Sequence, residues 1–574
     1  MTGLNATNLN EPAGAMAADL LFVNGSIYTI DGADSRAESL AVRDGRIVFV
    51  GSEKEALSFK GKRTEVVDLK GGLLLPGFAD AHIHAPGPLT AKLFDFDLSG
   101  LFEIDPVIRV IEETVKSNPD GEMYLGWGYP TSAFTGPEGS KGPRKERLDA
   151  VCADRPMIVL ANDCHSVWMN SKAFEVYGLT ADSASPAGGV IEKDENTGRL
   201  WGVLKDAAMN LVKDVRVPRE KMIAVLEEFQ NLMHSLGYTS ITAMAGTFIP
   251  VIGDIPWEEF RELEKRGRLT LKVNGSHCLL AADDLEEKIN EAEKLRDRYN
   301  SEFLRLNTIK VFADGVIDLR TAYLLEPYAD IPESRGEPGW EREQLYEALA
   351  RANKAGFQVH VHAIGDAAVR LTLDACEYAG RVARDRRNVI THLQMVSPLD
   401  WPRFKSLAVA ACVQPYWHMK QPEYWKPVEH QALGERAERM YPLKSLFEAG
   451  AVVVSSSDSP ITMRPDPLVA IQSGVTRNIV VGEEYGVPDI ADPDDPACLL
   501  GADQRVSVGE MIRSFTANSA YAAFRERETG RLEAGKQADM VVLDKNILTC
   551  PPLEIHEARV LKTYVNGQLV YSAG

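Results

Sequence analysis

Two histidines one residue apart, His82 and His84, end the run Leu73-Leu74-Leu75-Pro76-Gly77-Phe78-Ala79-Asp80-Ala81. Side chains at i and i+2 of a strand point to the same face. In a strand, both imidazoles would therefore look to one side and could grip one metal ion, zinc or one of its neighbours. A His-x-His pair is common, and two ordinary histidines on a strand is the plainer reading. The pair gains weight from what stands near the ends of later apolar runs. Lys310 lies in Thr308-Ile309-Lys310-Val311-Phe312, His362 in His360-Val361-His362, His392 in Ile390-Thr391-His392-Leu393, and Asp458 in Ser455-Ser456-Ser457-Asp458-Ser459-Pro460. Imidazole, amine and carboxylate groups are the ligands and proton carriers that metal-assisted hydrolysis needs.

The elements that must bring these residues together follow from the pattern of the middle of the chain. Strand-like runs at 73–84, 240–243, 269–275, 306–312, 358–362, 389–393, 409–414 and 452–455 alternate with helical patterns such as 219–236, 284–299, 341–355 and 366–379. Eight β-then-α units predict an α/β protein with a (β/α)8 TIM-like barrel, in which chemistry sits at the C-terminal ends of the strands. An open doubly wound sheet is the alternative, but no glycine-rich phosphate loop follows a strand. Both ends of the chain read as β, with hairpin signals at Asn24-Gly25 and Asn566-Gly567 and another turn at Asp44-Gly45. Residues 1–71 and 536–574 are thus expected to form one small β-sandwich domain around a barrel of 72–535. About 150 residues separate the first two strands, too many for a βα loop. An insertion at about 87–235 is expected, either covering the site or purely structural.

Composition sets outer bounds. The 574 residues are 45% hydrophobic and carry a formal charge of −20. That acidity argues against nucleic acid and anionic membranes as partners. Seven scattered cysteines without a Cys-x-x-Cys pair fit a reducing compartment. Met1 to Ala18 lack the apolar core of a signal peptide, and no run is long and apolar enough to span a membrane, so a cytoplasmic location is expected.

Taken together, Pro76-Gly77-Phe78-Ala79-Asp80-Ala81-His82-Ile83-His84, His362-Ala363-Ile364-Gly365-Asp366, Thr391-His392-Leu393-Gln394, Ser457-Asp458-Ser459-Pro460, Thr516-Ala517-Asn518-Ser519-Ala520 and Gly535-Lys536-Gln537-Ala538-Asp539 resemble the amidohydrolase superfamily of metal-dependent hydrolases. The similarity covers nearly the whole chain. It is greatest to the family 3 branch that contains the N-substituted formamide deformylases. The resemblance implies that His82 and His84 bind a first divalent metal, most simply Zn2+. His362 and His392 would bind a second, or in a one-metal enzyme supply one ligand and one hydrogen-bonding group. Lys310 falls where many members carry a carbamylated lysine bridging two metals; pairing with Asp314 is its alternative. Asp458 would be ligand and general base; a helix N-cap is its alternative. His360 is expected behind the ligands or in the core.

On the substrate side, Tyr416, Trp417 and His418 follow strand seven, with Tyr424 and Trp425 close behind. They suggest a wall for an apolar or aromatic group, or else local packing. Trp127, His165 and Trp168 in the insertion match a recurring pattern of the family and would close the pocket from above. Arg320 matches a recurring arginine that would touch a polar substrate group or anchor its own loop. Relatives often carry an aspartate near the end of strand two, where this chain reads Thr239-Ser240-Ile241-Thr242-Ala243-Met244. The resemblance therefore implies hydrolysis of a C–N bond, of amide or N-substituted formamide type, by metal-bound hydroxide with an aspartate base. A lactonase or esterase, or a deaminase on the same scaffold, is the alternative. The deaminase reading is weakened because no glutamate stands in the Ala-Ile-Gly-Asp that follows His362. A barrel that only binds would be expected to have broken ligands, and every position is filled. Dimers are common in the superfamily, so a homodimer is the expectation.

Overall fold

The computed structural model describes residues 17–574 apart from 163–164, 187–188, 213–216 and 247–254. Cys164 and almost all of the Met1–Ala18 stretch lie outside the described residues. The chain divides into two compact units. One comprises the chain up to Ile83 with Gln230–Ala245 and Glu264–Gly574; the other comprises His84–Phe229 with Gly246–Leu263.

Among the described residues of the first unit, eight parallel strands form a barrel. They are β1 (Phe78–Ile83), β2 (Tyr238–Ala243), β3 (Lys272–Cys278), β4 (Leu304–Phe312), β5 (Gln358–Ala363), β6 (Val389–His392), β7 (Ala410–Val413) and β8 (Val452–Ser455). They pair in chain order from β1 to β8. The sheet closes without a β8–β1 ladder: the Asp458 N–H donates to the His82 carbonyl at 2.8 Å, and the Ser457 N–H donates to the Asp80 carboxylate at 3.1 Å. Strands such as β1, β5, β6 and β7 are buried along their whole length, so their polar residues, Asp80, His82, His360, His362 and His392 among them, are buried with the apolar ones. Helices return the chain between strands. Leu285–Arg298 leads into β4, starting at Asp284, whose carboxylate caps the Glu287 N–H, and ending with Arg296 and Arg298 in its last turn. Arg342–Lys354 leads into β5 and Asp366–Ala379 into β6.

The two chain ends build two sheets. One is ordered 46–51, 39–43, 20–23, 65–68; the other is ordered 568–572, 560–565, 540–543, 73–76, 26–28, 36–37. Phe22, Leu40, Ile47, Leu74, Met540, Val542 and Tyr564 from both ends share one core. Two expectations are corrected here. The Asn24-Gly25 turn is no hairpin, because Leu20–Val23 and Ser26–Tyr28 enter different sheets. The run from Leu73 to His84 is two strands: Leu73–Pro76 pairs with Met540–Leu543 in the terminal sheets, and the barrel begins at Phe78. Gly77 makes the crossing, its N–H donating to the Asp539 carbonyl at 2.9 Å. A Cβ there would lie 2.2 Å from the Thr239 Cγ2, so only glycine passes so close.

Among the described residues, the second unit has its own six-stranded sheet, ordered 189–193, 200–206, 166–169, 157–161, 124–129, 96–97. Phe96, Tyr129, Phe134, Met157, Trp168 and Val203 share its core. Among the described residues, no helix is long and apolar enough to cross a membrane.

Candidate metal centre

The C-terminal ends of the barrel strands gather the residues singled out in the sequence. His82, fully buried at the end of β1, holds its Nε2 3.1 Å from Asp458 Oδ1 and 3.5 Å from Lys310 Nζ. His392, the last residue of β6, places Nδ1 4.0 Å from Asp458 Oδ2. The His392 ring lies 5.3 Å from that of His82 and 4.5 Å from that of His362. Register explains this convergence: Phe312 pairs with His362, and Ala363 with His392, so adjacent strands end at one level. Asp458, His392 and Leu393 have φ of 56°, 77° and 50°. Left-handed backbone at non-glycine residues costs about 1–3 kcal/mol each and clusters where side-chain placement matters.

Burial sets the charges. It holds the Lys310 ammonium down to about 8, the charge of Asp458 working against the shift. It holds His392 well below its ordinary value, with His362 adding to the effect and Asp458 opposing it. His392 is therefore neutral and offers a lone pair at neutral pH, whereas Lys310 still holds its proton at pH 7 and gives it up near pH 8, far more readily than an exposed lysine. Lys310 does not pair with Asp314. That carboxylate is taken by the backbone N–H groups of Tyr323, Ile364 and Gly365 at 2.8–3.0 Å. Nor does Asp458 cap a helix: the next one, Pro467–Thr476, is capped by Asp466.

Two supporting residues, Asp80 and Gln414, were not singled out from the sequence, while His360 lies behind His82 as expected. Asp80, fully buried, accepts from the N–H groups of His82 and Ser457 and ties β1 to β8; burial raises its carboxyl to about 7. Its place two residues before His82 on the same strand face was the available signal. Gln414 takes the Nδ1 proton of His392 on its Oε1 at 3.2 Å and donates to Thr391 and Ser456. That leaves the Nε2 lone pair of His392 for a ligand. His360 Nε2 meets His82 Nδ1 at 2.9 Å.

The other residues fall in different settings. His84 is half-buried one residue past β1, where the chain enters the second unit. Trp417 is half-buried, stacks on His392 with ring centroids 6.0 Å apart and planes 15° apart, and donates its indole N–H to Thr462. Tyr416 is buried with its hydroxyl 3.4 Å from that of Tyr238. His418 is buried and stacks on Tyr441, and burial holds it neutral. Arg320 anchors its own loop, bonding Asp330 and the carbonyls of Ile317 and Asp318. In the second unit, Trp127 packs on Phe94 and His165 meets Asp206 at 2.9 Å. Trp168 is fully buried in that unit's core, its indole N–H donating to the Arg144 carbonyl.

The donor set fits a divalent cation. Buried imidazoles and a readily deprotonated amine facing one carboxylate are a donor set that a cation satisfies.

A parallel barrel carrying such a set at its strand ends is the construction of a metal-dependent hydrolase. The amidohydrolase family profile matches residues 65–571, and the chain belongs to that family; it is a hydrolase of carbon–nitrogen bonds. Among proteins of known name, it is 29% identical to LONG AFTER FAR-RED 3 of Arabidopsis thaliana, over 98% of this chain and 93% of that protein. It is 26% identical to the N-substituted formamide deformylase of Arthrobacter pascens, over 96% and 98%. An uncharacterized metal-dependent hydrolase from Pyrococcus furiosus superposes with a TM-score of 0.70 at 26% identity, over 92% of this chain and all of the other.

Proposed function

We propose that the chain hydrolyses an amide-type C–N bond of a small molecule, of the N-substituted formamide kind, with Asp458 as general base. The observation that carries this reading is the convergence of His82, Lys310, His392 and Asp458, with His362 beside them, at the strand ends. His82, His84 and Asp458 would hold one ion, and in this reading His362 and His392, with Lys310 as a further ligand, would hold a second. Bound there, a divalent metal, zinc in this reading, supplies the Lewis acidity that brings the pKa of water down to about 7. Asp458 accepts the proton of the attacking water and returns it to the leaving nitrogen. Burial makes the Lys310 ammonium easy to deprotonate, and the amine so formed can add its nitrogen to the carbon of CO2 and lose a proton, giving an anionic carbamate. Trp417, stacked beside His392, is the wall for an apolar or aromatic substituent.

The test is a hydrolysis screen over N-formyl, N-acyl, lactam and ester compounds, aromatic ones included, on protein whose metal content is measured. Turnover of amides that disappears with a chelator and returns with zinc is expected. Protein that binds no transition metal, and gains no hydrolysis when zinc or manganese is added, sinks the reading.

A further inference from the structure

His360 has no part in the chemistry proposed above, yet it touches the residue on which that chemistry rests. Its Nε2 lies 2.9 Å from Nδ1 of His82, the ring planes 61° apart. Both side chains are almost wholly buried. The contact joins β5 to β1, four places apart in the eight-strand order, and so runs through the barrel interior. In the register of β4 with β5, His360 stands beside Lys310.

Two neutral imidazoles joined this way share one proton in the contact: either Nδ1 of His82 donates, or Nε2 of His360 does. The other nitrogen of His82 decides between them. It faces Asp458 Oδ1 and Lys310 Nζ, and to bind a cation it must be bare. The proton then belongs on Nδ1 of His82, and His360 must accept it. We infer that His360 is a positioning residue of the metal centre, accepting the Nδ1 proton of His82 and so holding His82 in the tautomer whose Nε2 can bind a cation. This rests on the proposed metal centre. An imidazole acceptor differs from a carboxylate in the same place, because it fixes the tautomer without adding negative charge to the ligand. His360 does this from below the ligands, where substrate has no need to reach.

The variants follow from reach. Glutamine places a side-chain oxygen near the position of a histidine Nε2; asparagine stops near Nδ1; leucine has no acceptor. Metal affinity is measured by chelator competition on wild type and on the His360→Gln, His360→Asn and His360→Leu proteins. The visible spectrum of the cobalt(II) forms reports the ligand set. Leucine and asparagine should weaken affinity roughly 10–100-fold and alter the cobalt spectrum, while glutamine stays near wild type in both. If the leucine protein does not fold, the asparagine–glutamine pair decides. Leucine and asparagine proteins that bind as tightly as wild type, or a glutamine protein that loses as much as they do, overturn the inference alone. Wild-type protein that takes up no metal overturns the proposed centre and this inference with it.

Discussion

Lys310 is the residue on which metal stoichiometry turns. An amine buried to 1% exposure, with no carboxylate paired to it among the described residues, is held down to about 8. Such a group opposes folding, because burying an ionisable head removes its hydration without a compensating ion pair. Its retention makes sense if the neutral amine is used. Lys310→Met keeps the length and removes the polar head, so the metal-free variant should melt no lower than metal-free wild type. Its metal content should fall from two per chain to one. Thermal unfolding and elemental analysis on the same samples check both halves. A variant that melts several degrees lower and keeps both metals would show instead that the amine is structural.

At the scale of elements, the strands were legible because the barrel buries both their faces, so short β-branched and apolar stretches such as Val389-Ile390, Ala410–Val413 and Val452-Val453-Val454 stand out between polar helical segments. The ligand types at their ends were legible for the same reason, a polar residue closing an apolar run. What joins one strand to another was not. The bond from Gln414 to His392 and that from His360 to His82 cross between strands 22 and 278 residues apart in sequence, and no local pattern encodes them. Nor did the apolar run reveal that Leu73–Pro76 leaves for the other sheets, since hydropathy is silent on which sheet a strand joins. His234 is another hidden link. At the end of the helix Arg219–Ser235, it donates from Nδ1 to the Tyr238 carbonyl at the start of β2, and its Nε2 meets the Thr270 hydroxyl, both at 2.9 Å. Burial holds it neutral, with its pKa lowered from 6.5 to about 4. Unfolded, the same histidine protonates near 6.5. The stability from keeping it neutral is therefore fully present above pH 6.5 and is lost as pH falls toward 4, by up to about 3 kcal/mol. His234→Asn can still donate to Tyr238 but does not titrate. Wild type should lose melting temperature between pH 7 and pH 4.5 more steeply than this variant. Parallel slopes would assign the acid sensitivity elsewhere.

For the whole molecule, the question is what ties a sandwich made of both chain ends to the barrel between them. Covalent continuity at Gly77 is one link, and a buried polar knot is another. Lys272, the first residue of β3, is fully buried. Its ammonium donates to Asp539 at 2.5 Å, to Gln537 at 2.8 Å and to Asn566 at 2.9 Å, all from the C-terminal segment. The Asn566 N–H donates in turn to Asp539, and its side chain to Glu302. Nonpolar contact would seal two apolar faces in many registers, whereas one ammonium with three oxygen acceptors is satisfied in one. The knot sits at the opposite end of the strands from the metal ligands, so it can fix the fold without constraining the site. Removing only the cation leaves the Asp539 carboxylate buried and unpaired, a loss of about 3–5 kcal/mol. Lys272→Met should therefore lower amide-exchange protection in Met540–Leu543 and Val560–Val565 while the interior strands β5 and β6 stay protected. Adding Asp539→Asn removes the orphaned charge yet still accepts from Asn566, so the double variant should recover much of that protection. Exchange unchanged in the single variant, or a double variant worse than the single by the sum of both losses, would mean that apolar contact and chain connectivity hold the sandwich in place without the ion pair.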